Sequence, residues 1–368
     1  WVRKGFGGVP QVAKGAGRGQ GRAMKDYTLQ ITAGTPLPAE IIRAAAAALV
    51  NPEVAAAEKA DFLRALARRG ERPEEIAGFV TEFLALAVDP GVNRDLLPGP
   101  MLDVVGTGGD SLNLFNVSTT AMFILAGGGV CVTKHGNRGV TSKSGGADVL
   151  EAMGVKIDLP PEKVARGLET IGLGFFFAPL YHPAFKAVVE ARKLLAVEGQ
   201  RSMFNLLGPL LNPIRPDYQL IGVYDPAWTR VFADILLRLG RKGAWVVHGS
   251  APGGRGMDEL STLGTNTVVE LRDGQVKESV LDATDYGYER AVLADLAGGD
   301  AVENADILEG ILAGRIKGPK RELAVLNAAA GFVITGLAAD LEEGRERAEE
   351  SLDRGAGHAK LCALQALC

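Results

Sequence analysis

A chain of 368 residues with 47% apolar side chains is long enough for two domains or one large one. Its 40 basic and 44 acidic residues leave a net charge of -4, so no bulk field points to nucleic acid or an anionic membrane surface, and any anion site must be local. Cys131, Cys362 and Cys368 show no metal-ligand spacing and suit a reducing cytoplasm, and glycines or charges break every apolar run short of the roughly 18 to 20 residues a spanning helix needs.

Residues 1–23 carry seven glycines and five basic residues with no acidic residue and no apolar period, so a disordered basic, glycine-rich extension is expected there, with folding from near Met24. The stretch lacks the serines and apolar segment of a targeting peptide. From Pro38 to Val88 the pattern is helical. Ile76, Phe79, Val80, Phe83 and Leu84 recur at the spacing of one helix face, Gly70 stops one helix, and Pro73 followed by Glu74 and Glu75 starts the next. Pro90, Pro98 and Pro100 then punctuate a linker.

After Met101 the period changes to short β-type runs alternating with helical ones, which predicts parallel α/β units. Strands are expected over Leu102–Val105, Val130–Thr133, Leu220–Val223, Ala244–Val247 and Thr267–Leu271. Helices are expected over Asn116–Leu125, Gly145–Met153, Pro183–Ala196, Leu323–Leu337 and Leu341–Leu352. The fold class is α/β: a small all-helical domain plus a large domain with a mainly parallel central sheet.

Three segments carry chemistry. Gly106, Thr107, Gly108, Gly109 and Asp110 follow a strand directly and lead to Asn116, Val117, Ser118 and Thr119 at a helix start. Glycines let backbone N–H groups approach an anion, and a helix N-terminus adds donors and a positive dipole end. The loop lacks the Gly-Lys-Ser/Thr of a Walker loop, and Ser111 replaces the third glycine of a dinucleotide fingerprint. A plain tight turn would use the same glycines.

Lys134, His135, Gly136, Asn137, Arg138, Gly139, Val140, Thr141, Ser142, Lys143, Ser144, Gly145 and Gly146 form a second polar loop between a strand and a helix. Its basic and hydroxyl groups fit a phosphorylated sugar, a solvated basic turn being the other reading. Loops after successive parallel strands open on one crevice at the strands' carboxyl ends. The third segment is Asp258-Glu259, two adjacent carboxylates that beside phosphate oxygens suit Mg²⁺; such a pair elsewhere is usually solvated or starts a helix. His248 ends an apolar strand and reads as structural, His358 as a surface residue, while His135 and His182 adjoin polar loops and read as substrate contacts. Arg192 can offer a planar fork to a carboxylate. No general acid or base is identified.

These segments, together with Tyr181-His182-Pro183-Ala184 and the run from Phe204 to Leu210, stand in an order that resembles the anthranilate phosphoribosyltransferase family, from about Met24 to near the C-terminus. The resemblance implies an α/β domain of the nucleoside phosphorylase type over 96–180 and 204–368, and a helical domain over 24–95 plus about 181–203. It implies a cytoplasmic homodimer joined through the helical domain, using phosphoribosyl pyrophosphate (PRPP), anthranilate and Mg²⁺, with no nucleic acid or membrane partner. By that similarity Gly106, Thr107, Gly108, Gly109, Asp110, Asn116, Ser118, Thr119, the run Lys134 to Ser142, and Gly146 hold PRPP. Ser118, Asp258 and Glu259 serve Mg²⁺, and Gly106, Asn137, His135, His182 and Arg192 line the anthranilate path.

Ser111 stands where the family usually has glycine, Leu114 where it has threonine, and Gly139 and Gly146 where it has serine. The stretch between Arg192 and Phe204 is longer than usual, which leaves the place of Arg201 open. Three rival readings are a pyrimidine nucleoside phosphorylase-like enzyme, a non-enzymic nucleic-acid-binding relative of the same fold, and a transferase for another aromatic acceptor. The phosphate motifs differ from the first and the net charge opposes the second.

Overall fold

The computed structural model describes residues 16–139 and 143–367. The expected extension therefore lies outside the described residues over 1–15, as do Val140, Thr141 and Ser142. In chain order the first elements are helices α1 (Ala16–Thr32), α2 (Ala39–Val50), α3 (Ala56–Arg69) and α4 (Pro73–Ala85), then β1 (Met101–Gly106), α5 (Val117–Gly127), β2 (Cys131–Gly136), α6 (Gly146–Ala152), α7 (Pro161–Ile171) and β3 (Leu173–Phe177). There follow α8 (Ala178–Tyr181), α9 (Val189–Val197), α10 (Phe204–Leu207), β4 (Tyr218–Gly222), α11 (Ala227–Arg238), β5 (Gly243–Ala251), β6 (Arg255–Met257), β7 (Thr265–Arg272) and β8 (Gln275–Asp282). Four helices close the chain: α12 (Ala301–Leu312), α13 (Pro319–Ile334), α14 (Leu341–Asp353) and α15 (Ala356–Gln365).

The described residues divide into two compact units, residues 16–86 with 183–205, and residues 87–139 and 143–182 with 206–367. In the first, helices α2, α3 and α4 bury one apolar face each. Phe62, Phe79 and Phe83 are fully buried, with Phe62 edge-on to Phe79 and Phe79 stacked on Phe83. Helix α1 starts at Ala16, ahead of the Met24 start that glycine content suggests. Its buried Met24 and Ile31 anchor the later turns, and once a helix is nucleated each added residue gains a backbone bond. Lys59 of α3 is buried and donates to the carbonyls of Asn51 and Ala187 at 2.7 and 2.8 Å, which ties the later segment into this unit.

The second unit is built on one mixed sheet in the order β3-β2-β1-β4-β5-β7-β8, with β6 paired to β5. Strands β3 to β5 along that order are parallel, and β7 and β8 continue it antiparallel. The parallel strands β1, β2 and β3 are buried along nearly their whole length, as strands covered on both faces are, although β2 carries Thr133, Lys134 and His135 within that run. The strands expected from sequence all form, while β3, β6, β8 and the crossover helices α7 and α11 add to them. From β1 the chain proceeds to β2 on one side, and the later β4 lies on the other. The carboxyl ends of β1 and β4 are therefore a topological switch point, where open α/β sheets bind ligands.

One expectation changes. The second polar segment does not begin as a loop at Lys134, because β2 runs on to Gly136 with Lys134, His135 and Gly136 in register with Phe175, Phe176 and Phe177 of β3. Lys134 and His135 are consequently buried strand residues.

Candidate functional site

At the switch point the backbones of β1 and β4 approach the acidic pair so closely that only glycine fits. A Cβ on Gly106 would lie 2.2 Å from Asp258 Oδ2, and one on Gly222 would lie 1.6 Å from the Asp258 carbonyl oxygen. After Gly106 the chain turns through left-handed backbone at Gly108 and Gly109, with φ of 72° and 92°. Gly108 N–H donates to Asp258 Oδ2 at 2.7 Å, and Thr107 N–H to the Gly222 carbonyl at 2.9 Å. Asn116 precedes α5, and the N–H of Ser118 in its first turn donates to Glu259 Oε1 at 3.2 Å.

Around this point lies a cavity of about 230 Å³. The expected residues that line it are Gly106, Gly108, Gly109, Asp110, Asn116, Ser118, Gly146, Asp258 and Glu259. The first glycine loop and the acidic pair thus converge. Lys134 joins them from below: its buried ammonium donates to the Val104 carbonyl at 2.7 Å and to Ser118 Oγ at 3.1 Å. Thr119 is buried in α5, and its hydroxyl would lie 3.1 Å from a Cβ at Gly146.

The rest of the second segment is arranged differently. Asn137 Oδ1 accepts the N–H of Arg138 at 2.8 Å, and the Arg138 guanidinium is held by both oxygens of Glu151 at 2.8 and 3.0 Å, 4.9 Å from the centre of the Phe177 ring. The N–H groups of Gly139 and Gly145 both donate to Asp148 Oδ2 at 2.8 Å, so one carboxylate ties the two ends of the loop. His135 and His182 pack edge to face with ring centres 5.4 Å apart. Burial pushes His135 down to about 3, helped by His182 and Lys134, and also lowers His182, whose Nε2 is 2.8 Å from the Leu211 carbonyl. Both rings are therefore neutral at pH 7. Arg192 belongs to the helical unit, where its guanidinium lies 5.7 Å from the centre of the Phe204 ring and burial lowers its pKa.

The acidic pair carries the main electrostatic signature. Withdrawal from water, then the charge of Asp110, raises Asp258 to about 7. Withdrawal from water, then the charge of Asp258, raises Glu259 to about 8, with Lys134 opposing the shift. Burial and mutual charge oppose ionisation of the two carboxyls, and a cation between them would favour their ionised form. Among the described residues no group of three or more His, Cys, Asp or Glu side chains is arranged to hold a metal by itself. Two carboxylates beside the Ser118 hydroxyl nonetheless fit Mg²⁺, which keeps several waters and completes its shell with phosphate oxygens.

The cavity is also lined by Lys143 and Ser144 of the second polar loop, while sequence reading missed Asn113, Gly299 and Asn304. A signal for the last two was present: Gly298-Gly299 stand before Asp300 and Glu303, a capping box whose side chains satisfy the first N–H groups of α12. Asn327 of α13 was also missed. It is fully buried and clamps the residue after the acidic pair, with Leu260 N–H donating to Oδ1 and Nδ2 donating to the Leu260 carbonyl, both at 3.0 Å.

Residues 98–358 match the a/b domain of a glycosyl transferase family and residues 25–87 its helical bundle domain. An anthranilate phosphoribosyltransferase of Anaeromyxobacter sp. (strain Fw109-5) is 48% identical over 307 residues, 83% of this chain and 87% of that protein. The crystal structure of anthranilate phosphoribosyltransferase from Thermus thermophilus matches with a TM-score of 0.84 at 41% identity, covering 93% of this chain and 99% of that one. Anthranilate phosphoribosyltransferase from Saccharomyces cerevisiae, in complex with PRPP and Mg, matches with a TM-score of 0.82 at 27% identity, covering 94% and 98%.

Proposed function

The chain belongs to the anthranilate phosphoribosyltransferases of the glycosyl transferase family, and on that premise we propose that the cavity at the β1 and β4 switch point binds PRPP and its Mg²⁺. The enzyme transfers the 5-phosphoribosyl group of PRPP to the amine of anthranilate and releases pyrophosphate, a step of tryptophan biosynthesis that depends on Mg²⁺. The observation that carries the site assignment is the meeting of the glycine loop and the raised-pKa pair Asp258 and Glu259 in one cavity.

In the reaction the anthranilate nitrogen bonds to the anomeric carbon as the bond from that carbon to the pyrophosphate oxygen breaks. Positive charge builds on the ribose and negative charge on the leaving group. The N–H groups of Gly109 and Asp110 and the positive end of the α5 dipole are assigned to the phosphates, since the N–H groups of Thr107, Gly108 and Ser118 are taken by Gly222, Asp258 and Glu259. Asp258, Glu259 and Ser118 hold Mg²⁺, which when bound neutralises charge on the departing pyrophosphate. Asn116, Thr119 and Gly146 border the sugar phosphate, and Lys134 supports Ser118 from beneath through their 3.1 Å contact. Neutral His135 and His182, with Asn137, form the acceptor path, and Arg192 is assigned to the anthranilate carboxylate. The nitrogen loses its proton after bond formation has made it acidic, so the chemistry demands positioning more than a strong base.

The enzyme is further proposed to be a cytoplasmic homodimer joined through the helical unit. Leu29 of α1 and Val189, Leu194 and Val197 of α9 leave apolar side chains exposed there, which supports burial against a second copy. Light scattering across a concentration series checks this, and a monomer throughout would refute it. The activity itself is tested by mixing the protein with PRPP, Mg²⁺ and anthranilate and following anthranilate fluorescence. Progressive loss that EDTA stops is expected; fluorescence that stays constant would overturn the reading.

A further inference from the structure

Asn304 sits in the first turns of α12, far along the chain from the glycine loop, yet it lines the same cavity and is only 2% exposed. Its amide is fixed at both ends. The N–H of Gly299 donates to Asn304 Oδ1 at 2.9 Å, and a backbone N–H can only donate, so that atom is the oxygen. Asn304 Nδ2 must then face the other way, where it donates to Asn116 Oδ1 at 2.8 Å. Asn116 in turn has its oxygen committed to Asn304, and its own Nδ2 is directed to the Ser144 carbonyl at 3.3 Å on the far rim of the cavity. The relay therefore has a single polarity from Gly299 to Ser144, set by a donor-only group at one end and an acceptor-only group at the other.

The backbone around Asn304 is built to hold it there. The segment before α12 is zipped to the glycine loop by Phe115 N–H to the Leu296 carbonyl at 3.4 Å, by Gly298 N–H to the Asn113 carbonyl at 2.9 Å, and by the bridge between Leu114 and Ala297. A Cβ at Gly298 would lie 2.6 Å from Asn304 Oδ1 and 2.5 Å from the Phe115 nitrogen, so the approach is as close as the backbone permits.

We propose that Asn304 is a positioning residue for PRPP: by donating to Asn116 it sets which way the Asn116 amide faces, and so fixes the donor that Asn116 presents to the sugar phosphate. This rests on the reading of Asn116 as a PRPP contact. Without Asn304 only the longer 3.3 Å bond to the Ser144 carbonyl holds the Asn116 amide, so a fraction of the enzyme turns it over and offers the anionic substrate an oxygen in place of an N–H. The cost falls on PRPP binding, leaving the chemical step and the acceptor untouched.

The test is a double-mutant cycle in the full-length enzyme, with Asn304→Ala, Asn116→Ala and both together, read as the KM for PRPP, the KM for anthranilate and kcat. Asn304→Ser, which keeps a hydroxyl for Gly299 but cannot reach Asn116, serves if the alanine variant does not fold. We expect Asn304→Ala or Asn304→Ser to raise the KM for PRPP about 5- to 10-fold, near the worth of one hydrogen bond, with kcat and the anthranilate KM within about twofold. In the Asn116→Ala background the same change should have almost no further effect. Equal losses at Asn304 with and without Asn116, or a folded Asn304 variant with an unchanged PRPP KM, would overturn the proposal while leaving Asn116 as a contact. A normal PRPP KM in Asn116→Ala would remove both.

Discussion

The two glycine-rich segments at the sheet's carboxyl edge resemble each other in composition and differ in construction. The first, from Gly106 to Asn116, carries no cationic side chain and offers backbone. Its left-handed residues Gly108, Gly109, Ser111 and Asn113 turn the chain, and the strand-like contacts of 114–115 with 296–297 hold it in place. The second has the cations, but among the described residues each of two has a protein partner: Lys134 the Val104 carbonyl and Ser118, Arg138 the Glu151 carboxylate. Counting charges therefore overstates what a loop can offer an anion, and counting glycines understates what a backbone can. The site's electrostatics come from the acidic pair and the first loop, with Lys134 beneath them.

That contrast is tested most severely at the acidic pair. Replacing Asp258 by Asn together with Glu259 by Gln should lower Mg²⁺-dependent turnover by at least about 100-fold, the scale of losing preorganised electrostatic stabilisation. The thermal midpoint should hold or rise, because burial and mutual repulsion already oppose ionisation of both groups. Activity against Mg²⁺ concentration, with a melting curve beside it, separates the two effects; unchanged turnover would remove the metal role. Next comes Lys134→Met. The buried ammonium makes two hydrogen bonds and opposes the upward shift of Glu259, so its loss should cost about 2 kcal/mol of stability in denaturant titration. Arg138→Ala serves as the contrast from the same segment, since its pair with Glu151 is exposed and worth about 0.2 to 1 kcal/mol.

The same division explains what was legible in the sequence. Strands β1, β2, β4 and β5 announce themselves by short apolar runs bounded by glycines or turns, and β7 by the buried Val268, Val269 and Leu271 between less buried polar residues. Strand β8 does not, since Gln275, Lys277, Glu278 and Ser279 lie at an exposed edge and follow no apolar alternation. Strand β3 is short and follows α7 after the single residue Gly172, so no turn sets it apart. Within the site, the glycine loop and the acidic pair are local patterns and could be read. Asn304 and Asn327 are single polar residues on helices, and Asn304 meets its partner Asn116 across 188 positions, so their meaning exists only in three dimensions. The fate of Arg138 was hidden for a related reason: nothing local shows that Glu151, one helix later, will take its charge.

Burial also opposes two neighbouring titrations where the loops begin. His135 N–H donates to Asp103 Oδ1 at 3.3 Å, and both side chains are enclosed. Burial lowers the His135 imidazole to about 3 from 6.5, so the unfolded chain binds a proton between those values that the folded chain refuses. Stability linked to His135 is therefore complete above about pH 6.5 and is lost as pH falls toward 3, at up to about 1.4 kcal/mol per pH unit. Asp103 acts in reverse. Burial raises it to about 6, so its ionisation penalty is present above pH 6 and relieved as pH falls toward 3.8. Subtracting the curve of His135→Asn from that of the parent, by chemical denaturation from pH 7.5 to 4.5, should leave a parent advantage that shrinks as pH falls. A flat difference would mean that the imidazole is not held neutral by its surroundings.

The smallest expected effect lies in the first loop's own strain. Ser111 and Asn113 have φ of 55° and 54°, in the left-handed region that costs an ordinary side chain about 1 to 2 kcal/mol. Glycine at 111 removes that cost but gives the unfolded chain more freedom, worth about 0.5 to 1 kcal/mol. Ser111→Gly should therefore stabilise the fold by less than about 1 kcal/mol, and Asn113→Gly by less still, because asparagine tolerates this backbone better than serine. Denaturant midpoints at constant slope resolve the pair. A destabilised Ser111→Gly would show that the serine side chain contributes more than its backbone strain removes, and the loop's shape would then depend on a side-chain contact and not on its main chain and the 296–299 strut alone.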